Sequence, residues 1–435
     1  MRSLTGSVIF VVILIMLDLY LYQAIKSVSH GLSSKMRLVI GLVFWSFTVL
    51  SVVSFLSLPH INLEQWPKPV RTYLFATLIG FFLAKLVAVP FFLVDDLRRL
   101  VQWGIGMLKA APASGATVSD EGGNGITRSV FLSWLGLGTG TALFGTLLWG
   151  FKNQYNYQVR QVRLAFKNLP PAFKGLKLVH ISDIHSGSFM DVEAVKRGVD
   201  LINAQNADLI LFTGDLVNDK AEEMAPYVGV FSALKAPLGV YSTLGNHDYG
   251  DYVPWPDRND AHRAQEKAQG RHLLTPLQQA NLDAMKEVHK SMGWQLLNDT
   301  HAKIERNGEQ IALMGVQNIS GKARFHSYGN LQKALAGAEQ LPFKILMSHD
   351  PSHWEKEVKG STANIDLMLS GHTHGMQFGV ELPWLKWSPV KWVYKQWAGL
   401  YEHEQQKLYV NRGFGFIGYP GRVGILPEIT VIELA

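Results

Sequence analysis

Leu176-Lys177-Leu178-Val179-His180-Ile181-Ser182-Asp183-Ile184-His185 is the stretch on which the reading of the chain turns. Leu176–Ile181 is a short apolar run of buried-strand length, and it leads into an aspartate and a histidine that alternate along the backbone. Asp183 and His185 can therefore share one face, where carboxylate and imidazole together suit a metal ion. The same event repeats downstream. A strand expected over Asp208–Phe212 runs into Gly214-Asp215-Leu216-Val217-Asn218, and one over Gly239–Leu244 into Gly245-Asn246-His247-Asp248. Lys344–Met347 leads to Ser348-His349, and Ile365–Leu369 to Gly371-His372-Thr373-His374. Each cluster alone has a plain alternative, since Gly-Asp and Gly-Asn are ordinary turn chemistry and a His-x-His pair is common on surfaces. All of them standing behind apolar strands point to one place, because ligands of an open α/β sheet gather at the carboxyl ends of its strands.

Helical stretches expected over Val192–Asn203 and Glu222–Leu234 separate the first three strands, a βαβαβ rhythm that implies a largely parallel buried sheet. Further strands are expected over Ile311–Val316 and Leu408–Asn411. The ligand types in the clusters are carboxylate, imidazole and amide, a set that suits Mn, Fe or Zn with positions left open for water and substrate. The chain has no cysteine, which excludes disulfides, thiolate metal sites and cysteine nucleophiles. Gly413-x-Gly-x-x-Gly418 matches a dinucleotide loop in spacing, but Tyr419-Pro420-Gly421 follows where a helix would have to open.

Ahead of these clusters the composition changes. Over 435 residues 47% are hydrophobic and only 17% charged, and most of that excess lies before Gly150. Four runs, about 7–22, 38–58, 72–94 and 130–150, are long and apolar enough to cross a bilayer. Tyr20 and Tyr22 stand where a cleaved leader would need small residues, so the first run is expected to remain a span. Asp18 and Lys85 interrupt the first and third spans. They either snorkel to the headgroups or, because those spans run in the same direction, pair with each other. Gly136 and Gly140 make a small-residue helix-packing face. Ala111–Ile126 is expected to be an exposed loop, and 151–173 a linker. Lys plus Arg exceed Asp plus Glu by 41 to 35, a net +6 that is scattered rather than striped, so no nucleic-acid partner is expected.

The series D-x-H, G-D-x-x-N, G-N-H-D, a single His and G-H-T-H resembles the calcineurin-like metallophosphoesterase family, over 174–435. With the spans ahead of it, and with Tyr409–Gly415 and Pro427-Glu428-Ile429, the chain looks like the membrane-associated bacterial branch. The resemblance implies a four-layer α/β/β/α sandwich behind a helical transmembrane unit in 1–150, and two divalent ions, Mn, Zn or Fe. Asp183, His185, Asp215 and His374 would hold the first ion. Asp215 would bridge to the second, completed by Asn246, His349 and His372. His247 would be the catalytic histidine facing the substrate, with Asp248 orienting its ring. The implied reaction is hydrolysis of a phosphate ester, with a phosphodiester or pyrophosphate of a lipid or envelope intermediate favoured over a monoester. A non-enzymatic phosphate sensor or transporter is the rival from another class.

Basic residues of the loops after spans one and three (Lys26, Lys35, Arg37, Arg98, Arg99, Lys109, Arg128) outnumber those opposite (Arg2, Lys68, Arg71). The expectation is a bacterial inner-membrane protein with the catalytic domain outside, the cytoplasmic side being the alternative. Tyr249–Leu274 is a long polar insertion, expected to be either a lid or a surface loop. In Leu382–Tyr401 four tryptophans (Trp384, Trp387, Trp392, Trp397) stand among Lys386, Lys391 and Lys395, a composition that either packs on the domain or seats a segment at lipid headgroups.

Overall fold

A computed structural model of the chain describes residues 4–58, 60–62, 65–109, 128–269 and 272–435. The loop expected at Ala111–Ile126 lies outside the described residues. The chain divides into two units, Met1–Trp149 and Gly150–Ala435.

The first unit consists of α1 (Leu4–Ser29), α2 (Ser34–Ser57), α3 (Lys68–Lys109) and α4 (Arg128–Gly150). All four helices are long and apolar enough to cross a membrane. Each outruns the expected span where polar residues continue the helix, most of all α3, which carries on through Asp95, Asp96, Arg98 and Arg99. Large apolar side chains such as Leu38, Leu42, Val53 and Leu93 lie exposed on the helix surfaces, as expected of helices that face lipid rather than water. Asp18 and Lys85 pair at 2.6 Å, both buried, and Thr48 Oγ1 donates to the second Asp18 oxygen at 2.6 Å. Of the two readings of these charges, the pair is the one observed. Gly136 and Gly140 lie against the backbone of Ala88 and Ala84 on α3, where any side chain would collide.

The second unit holds two six-stranded sheets. One has the order β1 (Gln158–Leu164), β14 (Glu428–Leu434), β2 (Lys177–Ile181), β3 (Leu209–Phe212), β4 (Val240–Ser242), β5 (Gln295–Leu296); only the β14–β2 pairing is antiparallel. The other runs β12 (Gly399–His403), β13 (Gln406–Val410), β9 (Leu367–Ser370), β8 (Lys344–Met347), β7 (Glu309–Gly315), β6 (Thr300–Arg306), parallel from β13 to β7. Alternation along the strands builds the layers. Leu178, Leu209 and Leu211 of the first sheet pack between the sheets against Leu313, Ile345, Met347 and Leu369 of the second. Val179, Ile181, Ile210 and Phe212 point the other way, into a core closed by α5 (Val192–Asn203) and α8 (Pro276–Ser291). On the far side, Met314, Leu346 and Met368 meet α9 (Leu331–Leu335). The result is the α/β/β/α sandwich, whose strands read as near-continuous apolar runs because both faces are covered.

Two expectations change. The stretch 151–173, read as a linker, carries β1, which pairs in register with β14 from Gln158↔Glu428 to Leu164↔Leu434. The helix expected over Glu222–Leu234 breaks into a short turn, Ala221–Met224, and one helical turn, α6 (Val228–Phe231), because Pro226 between them has no N–H to continue the ladder. The insertion Tyr249–Leu274 contains α7 (Asp260–Gln269), which buries no side chain. Its start is anchored, with Tyr249 buried and stacked on Tyr328. A hairpin, β10 (Val380–Leu382) and β11 (Leu385–Trp387), follows the last cluster.

Candidate metal centre

The clusters follow β2, β3 and β4 in one sheet and β8 and β9 in the other, so the carboxyl ends of both sheets deliver them to one pocket. The backbone bends sharply to do this. Asp183, His185, Asp215, His372 and His374 all have left-handed φ, between 48° and 69°. Each costs on the order of 1 kcal/mol, a strain that persists only where surrounding structure imposes it. Close approach needs glycine: a side chain at Gly371 would strike the Asp183 carboxylate, and one at Gly245 the Asp215 carboxylate.

Asp183, His185 and His374 place ligand-type atoms within 4.8 Å of one another, and so do Asp215, His349 and His372. Asp215 joins the two groups, with Oδ2 3.5 Å from His185 Nε2 and 3.0 Å from His349 Nε2. His374 Nε2 lies 3.2 Å from Asp183 Oδ1, and His372 Nδ1 lies 3.1 Å from His349 Nε2. Asn246 donates its amide to the Tyr252 hydroxyl at 2.8 Å, which leaves its buried Oδ1 without a partner. His185 Nε2 and His374 Nε2 are likewise buried and make no well-aligned hydrogen bond, although each faces one of these carboxylate oxygens. Buried polar atoms are normally satisfied, so imidazole nitrogens left without a hydrogen bond beside two carboxylates fit the ligand set of a divalent cation. Six of the seven ligand candidates are thus brought together, and Asn246 stands next to His247, whose backbone N–H donates to Asp215 Oδ1.

Partners across the fold aim the rings. His349 Nδ1 bonds to the Thr213 carbonyl at 2.8 Å, which turns Nε2 toward Asp215. His372 Nε2 bonds to Tyr394 Oη at 2.8 Å, and Tyr394 in turn reaches buried Asp350 at 3.4 Å. Arg422, fully buried, holds Nη2 3.2 Å from His374 Nδ1. Such outer contacts fix ring orientation around metals. Thr213, Asp350, Tyr394 and Arg422 were not singled out from the sequence. Asp350 alone had a local signal, its position directly after His349.

Burial opposes the charge on every one of these groups, and the carboxylates overcome it. Desolvation would raise Asp183 and Asp215, but the surrounding histidines hold both well below the usual carboxylate range. Burial pushes His185, His372 and His374 below the ordinary imidazole value, toward the neutral form a ligand needs. His349 goes the other way: burial works against its charge, yet Asp215 and Asp183 push it up to about 10. The pocket therefore draws positive charge to the space between the carboxylates.

His247 lies at the edge of the cluster, half-buried, its ring 4.9 Å from that of His185 and 4.5 Å from that of Tyr252. Its Nδ1 bonds to the Asn218 carbonyl at 2.6 Å. Asp248, expected to orient this ring, does something else. Its buried carboxylate accepts the backbone N–H groups of Asp215, Leu216, Val217 and Gly245, at 2.8 to 3.3 Å. It ties two metal-cluster turns together, and burial pushes it up to about 7. The orienting partner of His247 is Asn218. Gly413–Gly418 lies against the same turns, with Phe414 N–H donating to the Ser182 carbonyl, as a packing loop and not a nucleotide site.

Comparison with known proteins gives the family. Residues 176–376 match the calcineurin-like phosphoesterase model, and residues 1–154 match a model described as a probable calcineurin-like phosphoesterase transmembrane domain. The chain belongs to the calcineurin-like phosphoesterase family, whose members use divalent metals. It is 30% identical over 284 residues to a zebrafish (Danio rerio) transmembrane protein with metallophosphoesterase domain, covering 64% of this chain and 57% of that protein. An uncharacterised Bacillus subtilis metallophosphoesterase, YkuE, is 29% identical over 61% of this chain and 81% of its own. Chlamydia muridarum LpxG, named as a UDP-2,3-diacylglucosamine pyrophosphatase, is 27% identical over 62% of this chain and 88% of its own.

Proposed function

We propose that the chain hydrolyses a phosphate ester using two divalent ions, Mn, Zn or Fe. Asp183, His185, Asp215 and His374 would hold one, and Asp215, Asn246, His349 and His372 the other. The chemistry such ions would supply there is a hydroxide near neutral pH and stabilisation of charge on the phosphate oxygens. The observation that carries this reading is the joining of two buried carboxylate–histidine groups through Asp215, Asp183 with His185 and His374 and Asp215 with His349 and His372, the ligand-type atoms of each group lying within 4.8 Å of one another. His247 has a separate task. With Nδ1 tied to Asn218 its ring is held in one orientation, and Nε2 gives a proton to the departing oxygen.

The substrate is a phosphodiester or pyrophosphate, of a lipid or envelope intermediate. Beside the centre lies a groove of about 640 Å³ lined by Phe325, Tyr394, Lys322, Lys356 and Lys395. It offers room and positive charge beyond what a lone phosphate needs, and the lipid pyrophosphatase name of LpxG fits such a substrate. The catalytic domain sits on the outer face of a bacterial inner membrane, from the distribution of basic loops. Purified protein is to be screened against diesters, monoesters and phospholipid headgroups with Mn and Zn supplied in turn. Turnover of diesters or pyrophosphates is expected. Turnover of monoesters alone would reassign the substrate class, and binding without turnover would favour a sensor.

A further inference from the structure

Between His374 and β12 the chain makes an excursion that the sheets do not require and from which the centre takes Tyr394, against His372. β10 and β11 turn at Pro383-Trp384, and Trp384 at that tip is 79% exposed. Trp392, just beyond, is 72% exposed, with its ring 5.9 Å from that of half-buried Trp387. Leu382, Leu385 and Val393 are exposed around them, as are Lys391 and Lys395. The same unit buries Trp294, Trp354 and Trp397. Single exposed apolar residues are ordinary, whereas two indoles and three aliphatic side chains within a dozen residues form a patch that calls for an occupant.

What that occupant is follows from where the unit begins. Its first residue, Gly150, ends helix α4, and the Gly150 carbonyl accepts the Arg422 N–H at 3.0 Å. Val423 N–H then donates to Gln377, and Gly379 N–H to Val423, at 2.8 and 2.9 Å. β10 starts at the next residue, Val380. Two ladder steps, about 10 Å, separate the base of the hairpin from the residue at which the chain leaves a membrane-spanning helix. Indole rings beside lysines are the composition that settles at the interface between lipid and water.

We propose that Val380–Lys395 is a bilayer-docking surface, with Trp384 and Trp392 at headgroup level and Lys391 and Lys395 on anionic headgroups. It goes beyond the metal chemistry and would hold whatever the centre hydrolyses. Docking would also set where the centre stands. Ser388 Oγ donates to the Gly375 carbonyl at 2.8 Å and Thr373 Oγ1 to the Trp397 carbonyl at 2.6 Å, so both ends of the excursion are pinned beside His374.

Because the chain has no cysteine, single-cysteine labelling of the full-length protein is clean. An environment-sensitive fluorophore is placed at Trp384→Cys, at Leu382→Cys in a second variant, and at Lys303→Cys, exposed on β6, as reference. Each protein is reconstituted in phosphatidylethanolamine–phosphatidylglycerol vesicles containing doxyl-labelled lipid. Quenching at 384 and 382 is expected to exceed that at 303 at least twofold. Equal quenching at all three positions would overturn the proposal, and so would an unquenched Trp384→Cys variant that cross-links to a second copy, which would assign the patch to self-association.

Discussion

Asp215 and His247 are in direct contact, the backbone N–H of His247 donating to Asp215 Oδ1 at 2.8 Å, yet they should fail in different ways. Asp215→Ala removes the atom shared by both ligand groups. Metal content by elemental analysis and turnover should fall together, and full occupancy in that variant would refute the bridge. His247→Ala leaves the seven ligand candidates untouched, so metal is retained while turnover falls by ~10²–10⁴-fold. The seven candidates were legible because residues with ligand chemistry stand directly behind apolar strands. Tyr394 and Thr213 were not, because they touch His372 and His349 across separations of 22 and 136 residues, which no local pattern records. The role of Asp248 was misread for a related reason. Adjacency to His247 suggested a partner, but the carboxylate turns inward to four backbone N–H groups that only the fold brings within reach.

At the scale of elements, the parallel strands were readable from apolar runs covered on both faces. β1 was not, because an edge strand reading Gln-Val-Arg-Gln-Val-Arg-Leu neither alternates nor forms an apolar run, and it gains its identity only from β14. Two predictions belong here. Lys85→Met on α3 strands the buried Asp18 of α1 without a counter-charge. It should destabilise the helical unit by several kcal/mol, and Asp18→Leu added to it should restore most of the loss. Equal damage by the single and double variants, read from thermal unfolding in detergent, would mean that the pair does not matter. The second concerns α8, where His289 is buried against Phe212 and Trp294 with neither ring nitrogen paired. Burial alone lowers its pKa from 6.5 to about 3. A depressed histidine binds its proton more readily in the unfolded chain. Stability is therefore lost as pH falls below about 6.5, by about 1.4 kcal/mol per unit, until about pH 3. His289→Leu should flatten the fall in melting temperature between pH 6.5 and 4. Parallel slopes would contradict this.

For the whole molecule, four apolar helices stand ahead of a sandwich whose ligand candidates all lie at one end of its two sheets. The asymmetry of basic loops is the ground on which we propose that the sandwich lies outside the cytoplasm. A reporter enzyme active only in the periplasm, fused after Ala435, should therefore be active, and activity from a cytoplasm-only reporter would reverse the orientation. We propose that the gathered aspartates, histidines and asparagine work through bound metal. This is tested most directly by hydrolysis of bis(p-nitrophenyl) phosphate by full-length protein, before and after exhaustive chelation, and again after Mn or Zn is returned. Chelation should remove turnover, and metal should restore it in the wild type but not in Asp215→Ala; turnover that survives chelation undiminished would rule out a metal-dependent centre.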